Sequence, residues 1–133
     1  MDTLQRCRVF VAEDDDELRS LLAQAFRRDG HDVIEVADGP ALVDCLITVQ
    51  RNGAPLDQHD VVVSDIHMPG FSGLQVLASF HNLALDTPFI VISAFADATT
   101  QEDARQMGAA AFFSKPFDID ALRVAVAHLI GSR

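Results

Sequence analysis

Long apolar runs, positive charge and metal-type cysteine spacing are what this sequence is short of, and each shortage excludes something. No apolar run approaches the ~20 residues of a membrane span. The opening MDTLQRCRVF has no signal-peptide pattern. Ten basic residues stand against twenty acidic ones, a formal charge of −10. Direct binding to nucleic acid or an anionic membrane, which needs basic patches, is therefore not expected. Cys7 and Cys45 lack metal-ligand spacing and read as reduced core thiols of a cytoplasmic protein. There is no internal repeat, low-complexity tract or linker. What is present, 133 residues of which 49% are apolar and 23% charged, suits one folded domain spanning 1–133.

The chain alternates short apolar runs with amphipathic stretches. Arg8 to Ala12 reads as strand one and stops abruptly at Glu13-Asp14-Asp15-Asp16-Glu17. Leu18, Leu21, Leu22, Ala25 and Phe26 then make one stripe of a first helix, with Asp15 or Asp16 as its N-cap and Gly30 at its end. Asp32 to Ala37 is strand two. Asp38-Gly39-Pro40 opens helix two with proline at the first helical position and Leu42, Cys45, Leu46 and Val49 facing inward. A loop over Arg51 to His59 leads into VVVSDIHMPGFSG, Val61 to Gly73, whose three successive valines read as a buried central strand ending at Ser64-Asp65.

Ser72 or Gly73 starts helix three, with Leu74, Leu77 and Ala78 inward. Phe89 to Ser93 is strand four. Asp97 to Met107 is helical but has only a thin apolar face, and Gly108 ends it. Ala109 to Ser114 is strand five, and Asp118 caps a last helix with Leu122, Ala125, Val126 and Leu129 inward. Five strands alternating with five helices predict a doubly wound α/β domain with right-handed crossovers.

In such a fold the ligand site lies beyond the carboxyl ends of the strands. Strand one ends in Glu13 and Asp14, strand three in Asp65, strand four in Ser93 and strand five in Lys115-Pro116. If strands one and three are neighbours, three carboxylates converge, an arrangement that repels itself without a cation. Three acids and one lysine leave about −2, which one hard divalent cation such as Mg²⁺ offsets. Asp15, Asp16 and Glu17 read as an ordinary acidic helix start. Other phosphate-using sites lack their parts here. The turn after strand one is acidic, not the glycine-rich turn of a P-loop or dinucleotide fold. His67 stands where a dehalogenase-type phosphatase needs its second Asp, and Ser72 has no GxSxG frame.

With VFVAEDD, VVVSDIHMPGFSG, FIVISA and AFFSKPF in that order, nearly the whole sequence resembles the receiver domain of two-component response regulators. The resemblance implies a flavodoxin-like, chemotaxis-regulator-like sheet of order 2-1-3-4-5, with Asp65 as phosphoacceptor. It further implies Mg²⁺ held by Asp14, Asp65 and the backbone carbonyl of His67, with Glu13 reaching it through water. His67 as an imidazole ligand is disfavoured, since Mg²⁺ prefers oxygen. Lys115 would pair with the phosphoryl group across a cis Lys115-Pro116 bond, Ser93 would be the switch hydroxyl and Phe112 the switch aromatic. His67 and Phe95 would flank the acyl phosphate and slow its self-dephosphorylation, and His31, His59, His81 and His128 read as surface or packing residues.

The implied function is a phosphorylation-controlled switch in a phosphorelay, catalysing only its own modification. Its partners would be a sensor histidine kinase or phosphotransfer protein. A downstream protein or output domain would be reached through the fourth helix, fifth strand and fifth helix, and a phosphorylation-linked dimer is left open. Two alternatives stand beside it: a Mg²⁺-dependent phosphate-ester hydrolase and a phosphorylation-independent interaction module. No output domain follows Gly131-Ser-Arg133, which leaves open a stand-alone regulator or a piece of a longer protein.

Overall fold

Asp60–Asp65 is buried from end to end and forms the central strand. Branched valines fit a pleated surface covered on both faces. The computed structural model describes residues 7–51, 56, 59–70, 73–82, 87–94 and 97–131. In chain order the elements are β1 (Arg8–Ala12), α1 (Asp16–Arg28), β2 (Asp32–Val36), α2 (Gly39–Arg51) and β3 (Asp60–Asp65). There follow α3 (Gly73–Asn82), β4 (Phe89–Ser93), α4 (Ala98–Gln106), β5 (Ala111–Ser114) and α5 (Ile119–Gly131). All strand pairs are parallel. The order across the sheet is β2-β1-β3-β4-β5, the order that the receiver-domain resemblance implies.

Alternation along the strands feeds two cores. Val9, Val11, Val61, Val63, Ile90 and Ile92 pack under Leu22 and Phe26 of α1 and Leu122, Val126 and Ile130 of α5. Phe10, Ala12, Val62, Phe89 and Val91 pack on the other face, under α2 (Leu42, Leu46), α3 (Val76, Leu77) and Ala104 of α4. Ala104 is the one buried residue of α4, which matches its thin apolar face.

Local chemistry sets the element ends. Asp15 is the N-cap of α1, its carboxylate accepting from the amides of Glu17 and Leu18. Gly30 and Gly108, at φ +92° and +94°, turn the chain after α1 and α4. The next amides, of His31 and Ala109, bond back to Phe26 and Ala104 carbonyls at 3.1 and 3.0 Å. That closing bond claims Ala109, so β5 begins at Ala111 and not at Ala109 as the sequence predicts. Asp38 caps α2 through the Ala41 amide at 2.7 Å, and the helix starts at Gly39, one residue before Pro40.

One inner-face expectation needs correction. Leu21 is 51% exposed, because Leu22, Ala25 and Phe26 take the sheet-facing side of α1 and turn Leu21 toward the flank near Phe117 and Ile119. In α3 Leu77 is buried and Leu74 packs half-buried against the core as expected, with Val76 buried beside them. Cys7 is buried, Cys45 half-buried, and neither is in a disulfide. Ser72, Phe95 and most of the loop before β3 lie outside the described residues, as does the side chain of His81.

At the amino ends of the strands, Arg8 and Asp60 are partners in register on β1 and β3. Their side chains meet at 2.8 Å (Nε to Oδ1) and 2.7 Å (Nη2 to Oδ2). The same register carries Ala12 beside Ser64 at the other end, which brings Glu13 level with Asp65.

Candidate functional site

The site stands where β1, β3, β4 and β5 stop. Asp65 is the last residue of β3 and is buried. Its Oδ1 accepts the His67 backbone amide at 2.9 Å and its Oδ2 accepts from the Lys115 ammonium at 2.5 Å. Glu13 is fully buried just past β1. Its amide donates to the Val36 carbonyl at 3.1 Å, and its Oε2 accepts the Asp15 amide at 3.0 Å. Lys115 Nζ also lies 2.9 Å from Glu13 Oε1, a second ion pair with a buried acid. Asp14 is exposed, and an oxygen from each of Glu13, Asp14 and Asp65 falls within 4.8 Å of the others.

The charges are coupled. Burial pushes the Glu13 carboxyl up to about 7. The Asp15 amide and Lys115 work against that rise, and the nearby Asp65 charge adds to it. For Lys115, burial disfavours the ammonium, but its bonds to Asp65 and Glu13 together outweigh it and hold the pKa above the ordinary lysine value. The donor set suits a hard cation: three carboxylates converge within 4.8 Å of one another against a single lysine. Mg²⁺ fits these residues.

The remaining predicted residues sit around this centre. His67 is exposed in the turn after β3 and touches Asp65 through its backbone. Ser93 ends β4, is fully buried, and its carbonyl accepts the Lys115 amide at 2.7 Å. The Lys115–Pro116 peptide is cis. Phe112 is half-buried on β5, packed against the core under α2, α3 and α4. It lines a cavity of about 340 Å³ with Ala98, Gln101, Glu102 and Arg105 of α4.

Sequence reasoning missed an ion pair at the far end of the sheet and one residue beside the site. Asp60 and Arg8 had a signal: two buried apolar strands that open on opposite charges. The residue beside the site is Arg19. Its Nη1 donates to the Glu13 backbone carbonyl at 2.9 Å. A cation near the start of a helix opposes the helix dipole, and that misplacement was its signal.

The fold and the convergent acids define a receiver-type phosphorylation domain, and comparison with known proteins agrees. The family model for the response regulator receiver domain matches residues 9–127, and the chain belongs to that family. Receiver domains are regulatory, and they typically bind Mg²⁺ at an acidic site such as the cluster described above.

Among curated proteins, the chain is 27% identical over 119 residues to sporulation initiation phosphotransferase F of Bacillus subtilis, covering 90% of each. It is 33% identical over 123 residues to the transcriptional regulatory protein FixJ of Azorhizobium caulinodans, covering 92% of this chain and 54% of that protein. The chain thus spans about half the length of FixJ. Among solved structures, the receiver domain of the Francisella response regulator 1452 superposes with a TM-score of 0.79 at 27% identity, over 94% of this chain and 97% of that one. Among the described residues no helix is long and apolar enough to cross a membrane.

Proposed function

We propose that this domain is a switch set by phosphorylation of Asp65, with the phosphoryl group coming from a phosphohistidine of a sensor histidine kinase or phosphotransfer protein. The observation that carries the reading is the buried Asp65 carboxylate, bonded to Lys115 and converging with Glu13 and Asp14. An Asp65 oxygen forms the new bond to phosphorus as the phosphorus–nitrogen bond of the donor breaks, and the leaving imidazole takes up a proton. Such a transfer asks a protein for positioning and charge neutralisation more than for covalent chemistry. Lys115 supplies fixed positive charge, and the His67 amide orients the carboxylate. Glu13, Asp14, Asp65 and the His67 backbone carbonyl would hold Mg²⁺. When bound, the ion supplies the charge that offsets both the acids and the incoming phosphoryl oxygens.

The product adds negative charge and acceptor oxygens at the end of β3. Ser93, buried at the end of β4, donates to them, and Phe112 responds from the next strand. The surface rearranged is that of α4, β5 and α5, where a downstream protein or output domain, or a second copy of the chain, binds. Support comes from α4, held to the core by Ala104 alone among its buried residues, and from the cavity between it and Phe112. The domain acts as a unit within 1–133, without an external substrate of its own.

Incubation with acetyl phosphate and Mg²⁺ followed by intact-mass analysis tests this. One added phosphoryl group, absent in Asp65→Asn and in EDTA, is expected. Continuous turnover of a small phosphate ester would point to a hydrolase, and an unmodified mass would point to a binding module on this fold.

A further inference from the structure

Resting on the metal reading above, we infer that Arg19 is a positioning residue for the cation site, acting through the backbone of Glu13. Its guanidinium is anchored on three sides. Nη1 donates to the Glu13 carbonyl at 2.9 Å and Nη2 to Asp16 Oδ1 at 2.7 Å. Nε lies 3.6 Å from Glu35 Oε1 on β2, and the side chain is only 19% exposed. A planar fork held at one end by β2 and α1 fixes the direction of what it grips at the other.

What it grips is the peptide between Glu13 and Asp14. That unit is planar, so fixing its carbonyl fixes the course of the chain into Asp14. Glu13 is secured independently by the Val36 carbonyl, the Asp15 amide and Lys115. Asp14 is exposed and has no side-chain hydrogen bond of its own among the described residues, yet its carboxylate lies in the cluster. Its place there is set by its backbone, and Arg19 holds that backbone.

Charge and geometry predict opposite signs here. A guanidinium beside the acids repels a divalent cation, so deleting its charge would tighten Mg²⁺ binding if charge were all that mattered. Loss of a group that orients ligands typically weakens metal affinity 10- to 100-fold. Arg27 is the natural control: it lies on the same helix and pairs with the same Glu35 at 3.0 Å, but its other bond goes to the Val33 carbonyl.

The test is the Mg²⁺ dissociation constant of the full chain, measured by calorimetry beside the melting temperature. Wild type, Arg19→Met, Arg19→Lys and Arg27→Met are compared. The expected result is at least a tenfold weakening in Arg19→Met and several-fold in Arg19→Lys, which keeps the charge and loses the fork. Arg27→Met should stay within twofold of wild type. Tighter or unchanged binding in Arg19→Met, or an equal loss in Arg27→Met, overturns the inference. If Arg19→Met does not fold, Arg19→Lys decides, with unchanged affinity refuting. Wild type that binds no Mg²⁺ would instead overturn the metal reading itself.

Discussion

Arg8 and Asp60 close a two-point ion pair at the end of the sheet opposite Asp65, joining the first residues of β1 and β3 in register. Removing Asp60 takes both of these bonds from Arg8. Asp60→Ala should cost about 3 kcal/mol in urea unfolding at pH 7, at the low end for buried pairs because Arg8 is 23% exposed. Replacing both, Arg8→Met with Asp60→Leu, should recover most of that loss. A single-mutant cost below about 1 kcal/mol would mean solvent already screens the pair.

Glu13→Gln should stabilise the metal-free protein at alkaline pH. The Glu13 carboxyl is raised to about 7 chiefly by burial. A raised pKa contributes stability that is present below the ordinary value of 4.5 and lost as pH rises through about 7. In EDTA the melting temperatures of wild type and variant should therefore agree near pH 5 and separate by pH 8. The gap corresponds to at most about 3 kcal/mol in favour of Gln. Added Mg²⁺ should narrow it by stabilising wild type more. A gap independent of pH would rule out the ionised carboxylate as its cause.

Gly70→Ala should destabilise for two separable reasons. Gly70 sits at φ +82°, and a Cβ there would lie 2.4 Å from Cδ of Pro40 at the start of α2. Left-handed backbone costs an L-residue about 1–2 kcal/mol and overpacking about 1–3 kcal/mol. Adding Pro40→Gly should return the packing part only. A double-mutant cycle with no coupling between the two sites would show that the clash does not contribute.

Arg123→Gln should lower the melting temperature at pH 7 by an amount that vanishes in acid. Arg123 binds Asp29 at 2.9 and 2.6 Å, tying α5 to the end of α1. That hydrogen bonding holds the Asp29 carboxyl below its ordinary 3.8. A lowered pKa contributes stability that is present above 3.8 and lost as pH falls through the folded value. The two melting curves should thus converge below the ordinary carboxylate range. A difference that persists there would assign the effect to packing of the side-chain stem.

The order of elements was legible because apolar runs and helical stripes carry it, and strand-end residues such as Asp65 and Lys115 marked the site. Periodicity places Leu21 in the α1 stripe but does not show which edge of that stripe stays open to solvent. Ala109 has the composition of strand, and only its amide bonding back to Ala104 shows that it belongs to the end of α4. Arg19 escaped because its target is a backbone carbonyl, which a one-letter sequence does not display.

Lys115 belongs to the edge of the sheet, yet its ammonium answers to acids at the ends of β3 and β1, two and three positions inward. It acts as a guy-rope slung over β4. The Asp65–Lys115 contact thus joins the middle of the sheet to its rim in one step, bypassing the packed side chains between.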